Sequence, residues 1–142
     1  MRDHVLSYLI DTNVLSELCN RQADANVVAW MQARPRQSLY LSVLSLGEIR
    51  NGIEGVANPE FRQILTDWLE VQLSSYFVGR LLGIDQQVAD RWGRVQASAD
   101  RTLPVIDGLL AATALQHDLT LVTRNVEDFA GLGVSLVNPW QA

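Results

Sequence analysis

Short apolar runs of strand length alternate along this chain with segments of helical periodicity, and that alternation is the tightest limit on its fold. The first run, residues 5–10, stops abruptly at Asp11; Thr12 and Asn13 follow, then a helical turn over residues 14–18. Further runs lie at residues 38–42, 76–84, 119–123 and 134–137, with helical stretches between them. Alternation of this kind predicts an α/β fold, with a parallel sheet covered by helices on both faces. Ligands of such sheets bind outside the carboxyl ends of the strands. Asp11 stands at such an end, and two roles are open to it. It caps the following helix by accepting backbone N–H bonds, or it is a functional carboxylate.

The helical segments place the other candidates. Residues 24–31 read as a helix capped by Asp24 and closed by Pro35. In residues 43–53 the buried stripe is Leu46, Ile49 and Ile53, continuing to Val56, and Glu48 lies off it. Asn58-Pro59 starts a helix, proline being favoured at the first position. Its apolar stripe is Phe61, Ile64, Leu65, Trp68, Leu69 and Leu73, read as core and interface packing. Asp85 caps a helix through Val88, Ala89, Trp92, Val95 and Ala99, with Arg91 and Arg94 exposed. Residues 104–117 are almost continuously apolar and small, so this helix should lie buried against the sheet. Its only acid is Asp107, in the first turn, where a carboxylate also stabilises the helix dipole. His117 complements that dipole at the other end.

A chain of 142 residues predicts one domain over residues 1–142, burying roughly two thirds of its unfolded surface. No apolar run reaches the ~18–20 residues of a membrane span, and the first residues show no signal-peptide pattern. The single cysteine, Cys19, excludes an internal disulfide, and its setting beside Leu18 predicts a buried or partly buried structural thiol. A cytoplasmic location is expected. The net charge is −5 and all 11 basic residues are arginine, so the bulk basic signature of a nucleic-acid binder is missing. An acidic chain still acts on nucleic acid where its negative charge holds metal ions.

In a parallel α/β sheet each connecting helix runs antiparallel to its strands, so helix N-termini and strand C-termini share one edge. Asp11, Glu48, Asp107, Thr123 and Asn125 all map to that edge. Carboxylates gathered there push one another's pKa values up, and a hard divalent cation with oxygen ligands relieves the repulsion. A phosphatase or phosphotransfer domain is disfavoured: the chain has no Gly-rich phosphate loop and no nucleophile beside a general acid.

These residues carry a resemblance. The run Ile10-Asp11-Thr12-Asn13-Val14-Leu15-Ser16-Glu17 is similar to the opening motif of PIN-domain nucleases. Ser42 followed by Glu48, Asp107-Gly108 with Ala111-Ala112-Thr113, and Val122-Thr123-Arg124-Asn125 continue the match in order. The terminal Asn138-Pro139-Trp140 resembles the FitB-like branch of VapC-type toxins of type II toxin–antitoxin systems. The resemblance implies a three-layer α/β/α sandwich with strand order 3-2-1-4-5, and a Mg²⁺- or Mn²⁺-dependent endoribonuclease. Asp11, Glu48 and Asp107 match the family's first three acids, with Asp11 and Asp107 as metal ligands. The fourth position, often Asp, is Asn125 here, and Asp128 is the acid that can take its place. Thr12, Asn13 and Thr123 would be hydrogen-bonding supports, and Arg50 and Arg124 lie nearest the motifs as candidates for phosphate contact. The resemblance also implies a DNA-binding antitoxin as partner, with a non-catalytic regulatory role in that complex as the alternative function. It further implies a homodimer, which the tryptophan- and leucine-rich helices around Trp68 and Trp92 also suggest.

Overall fold

The computed structural model describes residues 6–142; Val5, expected to begin the first strand, lies outside the described residues. The strands are β1 Tyr8–Ile10, β2 Leu39–Ser42, β3 Leu81–Leu82, β4 Thr120–Val122 and β5 Leu136–Val137. They form one parallel sheet in the order β3-β2-β1-β4-β5, as the resemblance implied. The helices are α1 Thr12–Leu18, α2 Ala25–Gln32, α3 Val43–Glu54, α4 Pro59–Asp67, α5 Ser74–Tyr76, α6 Gln86–Ser98 and α7 Val105–Gln116.

Side chains alternate across the sheet with the period of two that a pleated strand imposes. Tyr8, Ile10, Leu39, Leu41 and Val122 enter the core shared with Val14, Leu15, Val27 and Ile53. Leu9 and Leu121 face the other way, onto Leu110, Ala111 and Ala114 of α7 and onto Phe129. The small residues of α7 let it approach the sheet closely. Helix starts are fixed by side-chain caps worth about 1 kcal/mol each. Asp24 accepts from the amides of Asn26 and Val27, Ser42 from Leu44, Asn58 from Phe61 and Asp85 from Val88.

Four sequence expectations change. The third strand is not residues 76–84 but Leu81–Leu82. Tyr76 ends a continuous helical run that began at Pro59, and Gly79, at φ +78°, turns the chain back. The Arg80 guanidinium holds this reversal by donating to the carbonyls of Arg36, Leu39 and Tyr76. The stripe on residues 61–73 is not uniformly covered. Trp68–Leu73 is a π-helical stretch that buries Leu69 and Leu73, whereas Phe61 and Ile64 are 51% and 63% exposed on α4. That helix meets α3, not the sheet. Cys19 is exposed, because it caps the C-terminus of α1 one residue beyond the last residue packed on the core, Leu18. On α6, Ala89 is exposed and Arg91 is half-buried, donating to Gln116 at 3.4 Å; Arg94 stays exposed and pairs with Asp90.

Gly108 sets the contact between α6 and α7. A Cβ there would stand 2.7 Å from Oε1 of Gln96 and 2.9 Å from Nε1 of Trp92, two buried atoms with no hydrogen-bond partner among the described residues. Alanine would gain helix propensity but overpack a rigid indole, so Gly108→Ala is expected to cost about 1–2 kcal/mol net. Urea denaturation checks this as a lower midpoint at constant slope.

Candidate active site

Asp11 lies where the sheet's winding reverses: β2 pairs with one side of β1 and β4 with the other. Its amide donates to the Val122 carbonyl at 2.9 Å, continuing the β1–β4 ladder by one residue. The carboxylate is then committed on both oxygens. Oδ1 accepts from the Thr12 amide at 2.7 Å, and Oδ2 accepts from the Thr123 hydroxyl at 2.8 Å and the Asn13 amide group at 3.4 Å. Asp11 therefore caps α1 and is also the buried floor of a cavity, so both roles open to it in the sequence hold together.

The other acids come to it from two helices. Glu48, in the second turn of α3, accepts from the Thr12 hydroxyl at 2.7 Å through Oε1. Thr12 thus links the first two acids, its amide bonded to Asp11 and its hydroxyl to Glu48. Asp107 enters from the first turn of α7 and has no hydrogen bond or ion pair among the described residues. Asp11, Thr12, Asn13, Glu48, Asp107 and Asn125 all line one cavity of about 440 Å³. Thr123 is fully buried beneath it and receives the Asn125 amide at 3.1 Å. Asp128 stands in the wall of a neighbouring chamber, close enough for its charge to act on both Asp11 and Asp107.

Burial pushes the Asp11 carboxyl above its ordinary value of 3.8, against the opposing bonds from Thr123 and Thr12, and the charges of Glu48 and Asp128 push it further. Asp107 is raised as well, by burial first and then by Asp128, Asp11 and Glu48. Among the described residues no arginine forms an ion pair with any of these four acids. The donors facing the cavity are all oxygens or amides, a set that suits a hard cation and not a thiophilic one. No three His, Cys, Asp or Glu side chains among the described residues close into a complete ligand group.

Arg50, expected near phosphate, is turned away and pairs with Glu70 at 2.5 Å. Arg124 does line the cavity, and so do Ser16, Glu17, Asn20 and Trp140, which sequence reasoning left without a role. A signal for Trp140 was present: it follows β5, and strand C-termini gather at this edge.

An acidic cavity at the reversal point of a 3-2-1-4-5 parallel sheet defines an α/β protein with a cluster of carboxylates at the carboxyl edge of its strands. The chain belongs to the PIN domain family, whose model matches residues 8–133. It is 35% identical over 135 residues to the toxin FitB of Neisseria gonorrhoeae, covering 93% of this chain and 97% of that protein. It is 33% identical over 136 residues to the VapC ribonuclease Y4jK of Sinorhizobium fredii, covering 94% and 97%. A solved structure of FitAB bound to an IR36 DNA fragment superposes with a TM-score of 0.89 at 33% identity, covering 94% of this chain and 95% of that one. Among the described residues no helix is long and apolar enough to cross a membrane.

The raised carboxyls have a consequence for stability. Above pH 3.8 the unfolded chain has released protons that the folded chain still holds. Stability therefore falls as pH rises from that value to the raised folded pKa, and the deficit persists above it. Asp107→Asn removes one share of this repulsion. Its urea midpoint at pH 7 is expected above that of the wild type, with the gap closing as the pH approaches 4. Equal midpoints at pH 7 would show that Asp107 is not strained.

Proposed function

We propose that the chain is a divalent-metal-dependent endoribonuclease, the toxin half of a type II toxin–antitoxin pair. The observation that carries this reading is the convergence of Asp11, Glu48 and Asp107 in one cavity, with no basic residue among the described ones paired to any of them. Relatives named toxin and VapC ribonuclease, matched over nearly their whole length, support it.

Asp11 and Asp107 would hold Mg²⁺ or Mn²⁺. Bound there, the ion supplies charge neutralisation at the scissile phosphate and lowers the pKa of the attacking water. The chain's own residues do the rest. Thr12, Asn13 and Thr123 fix the Asp11 carboxylate so that its orientation costs nothing when substrate arrives. Glu48 keeps Oε1 on Thr12, leaving Oε2 to accept a hydrogen bond and then the proton of the water that attacks phosphorus. The water oxygen bonds to phosphorus, the bond from phosphorus to the leaving ribose oxygen breaks, and that oxygen takes up a proton. Asn125 contributes an amide that orients and carries no charge, so the cluster holds one negative charge fewer than an aspartate there would give. In this reading Asp128 supplies compensating charge from the neighbouring wall.

The expected partner is an antitoxin. An apolar groove of about 330 Å³ between α1, α2 and the π-helical stretch, lined by Leu15, Leu18, Met31, Trp68 and Tyr76, suits an apolar peptide face. It shares α1 with the acidic cavity, so one segment can fill the groove and reach the site. The FitAB complex on DNA favours a second reading, in which the chain acts as a non-catalytic component of a DNA-bound regulatory complex. A cytoplasmic setting fits either reading. We also assign a homodimer, supported by Phe61, Ile64 and Val71, which are apolar and more than half exposed along residues 61–71. Trp92 does not serve it, since its indole packs on Gly108 within the chain.

Purified chain freed of antitoxin is expected to cut a mixed RNA pool with Mg²⁺ or Mn²⁺ and not with chelator. Asp107→Asn should lower kcat/KM roughly 10²-fold or more. Either cation should raise the melting temperature of the wild type more than that of Asp107→Asn, a readout independent of cleavage. Metal-independent cutting, or full activity in Asp107→Asn, rejects the mechanism; a folded chain that cuts nothing and ignores metal favours the regulatory reading. Light scattering at micromolar concentration should give twice the chain mass, falling to one chain in Ile64→Asp.

A further inference from the structure

The acidic cavity has a neighbour. A second chamber of about 280 Å³ opens beside it, and Arg124 and Asn125 line both. Arg124 is the only basic residue lining either chamber among the described residues. It has carboxylates on both sides yet forms no ion pair; its guanidinium instead lies over the Trp140 ring, 5.0 Å from the centroid. Trp140 is wedged between that guanidinium and the main core. The tail that carries it is fastened at several points. Its carbonyl accepts from Asn26 at 3.0 Å, its amide donates to Asn138 at 2.9 Å, and the Asn138 amide group reaches the Arg124 carbonyl at 3.4 Å. The Arg124 amide in turn donates to Asn13, next but one to the buried acid Asp11. A cation is thus held on an aromatic plate between two chambers, with no ion pair to the site's acids among the described residues.

The chambers differ in chemistry. The first has the carboxylates that a metal and a phosphate would occupy. The second is walled by Asn125, Gln141, Glu127 and Asp128. Both amides have side chains free of hydrogen bonds among the described residues. Carboxylates repel phosphate but accept from the exocyclic amino groups of bases, and amides read base edges by paired donor and acceptor. A base can swing into such a chamber only from a single strand, where its edges are not already paired.

We infer that the second chamber is a nucleobase subsite for single-stranded RNA: it takes the base flanking the scissile phosphate, and Arg124, positioned by Trp140, holds the phosphate next to the one cut. Gln141 and Asn125 read the base edge. Glu127 and Asp128 favour adenine, cytosine or guanine over uracil, which has no amino group to donate. The inference rests on the ribonuclease reading and names the substrate form and specificity of that same site.

The test uses a single-stranded RNA pool with a randomised window, cut by the full chain in Mg²⁺ or Mn²⁺ and mapped at product ends. Wild type should disfavour uracil several-fold at one position beside the cut. Glu127→Gln, at an exposed position where folding is not at risk, should flatten that preference. Arg124→Ala should lower kcat/KM about tenfold, mainly through KM, with Arg124→Lys recovering part of the loss. An unaltered base profile in Glu127→Gln, or a wild-type KM in Arg124→Ala, overturns the inference while leaving the nuclease intact. A second arm measures binding of the uncut pool to Asp107→Asn chain with and without Arg124→Ala. If wild type cuts nothing, the ribonuclease reading falls. The binding arm then decides alone: weaker binding without Arg124 upholds an RNA seat, and equal binding overturns it.

Discussion

The structure depends on the bond set around one buried carboxylate. Asp11 closes the β1–β4 ladder through its amide, starts α1 through Oδ1 and anchors the strand-four loop through Oδ2. Burial disfavours its charge, and the bonds from Thr123 and Thr12 oppose that cost. Such a residue is not easily exchanged: an asparagine would turn a donor toward donors. The fold has therefore placed its most constrained acid where catalysis requires the least movement.

The same interaction explains why α7 carries an acid at all. The helix is apolar and small so that it packs against β4 and Phe129, and Gly108 lets α6 close over its first turn. Asp107 sits beside that glycine, so tight packing of α6 on α7 fixes where the carboxylate points. It gains no partner among the described residues, and burial and three neighbouring acids raise its pKa. A chain selected for stability alone would place a neutral residue there. A perturbed carboxyl of this kind is what the proposed cation site would need.

Much of this was legible in the sequence because it rests on local rules. Apolar runs gave the strands, caps gave the helix starts at Asp24, Asn58 and Asp85, and connection geometry sent Asp11, Glu48, Asp107 and Asn125 to one edge. What was not legible depends on tertiary context. A strand reading of residues 76–84 could not foresee that the preceding helix would run on to Tyr76 through a π-helical stretch, since Tyr, Phe and Val suit either state. Phe61 and Ile64 kept helical period but lost cover because α4 meets α3 and not the sheet. Arg50 and Arg124 looked equivalent in spacing. Glu70, twenty residues from Arg50 in the chain, claims one, while Trp140, sixteen from Arg124, holds the other free of ion pairs.

That difference between two arginines resolves the awkward charge balance of the chain. A net charge of −5 with four acids around one site should repel a polyanion. Screening at physiological salt confines that repulsion to about 8 Å, so distant arginines matter little and the charges at the cavity mouth decide. On the proposed reading, a bound cation would relieve the mutual repulsion of the acids there and leave the Arg124 guanidinium, free of ion pairs among the described residues, to face the substrate. Stacking on an aromatic ring leaves its N–H edge free for phosphate, whereas an ion pair would occupy it. On the proposed ribonuclease reading, an acidic chain with one well-held arginine would admit RNA only with a cation bound, so cation occupancy would gate the site as well as serve its chemistry.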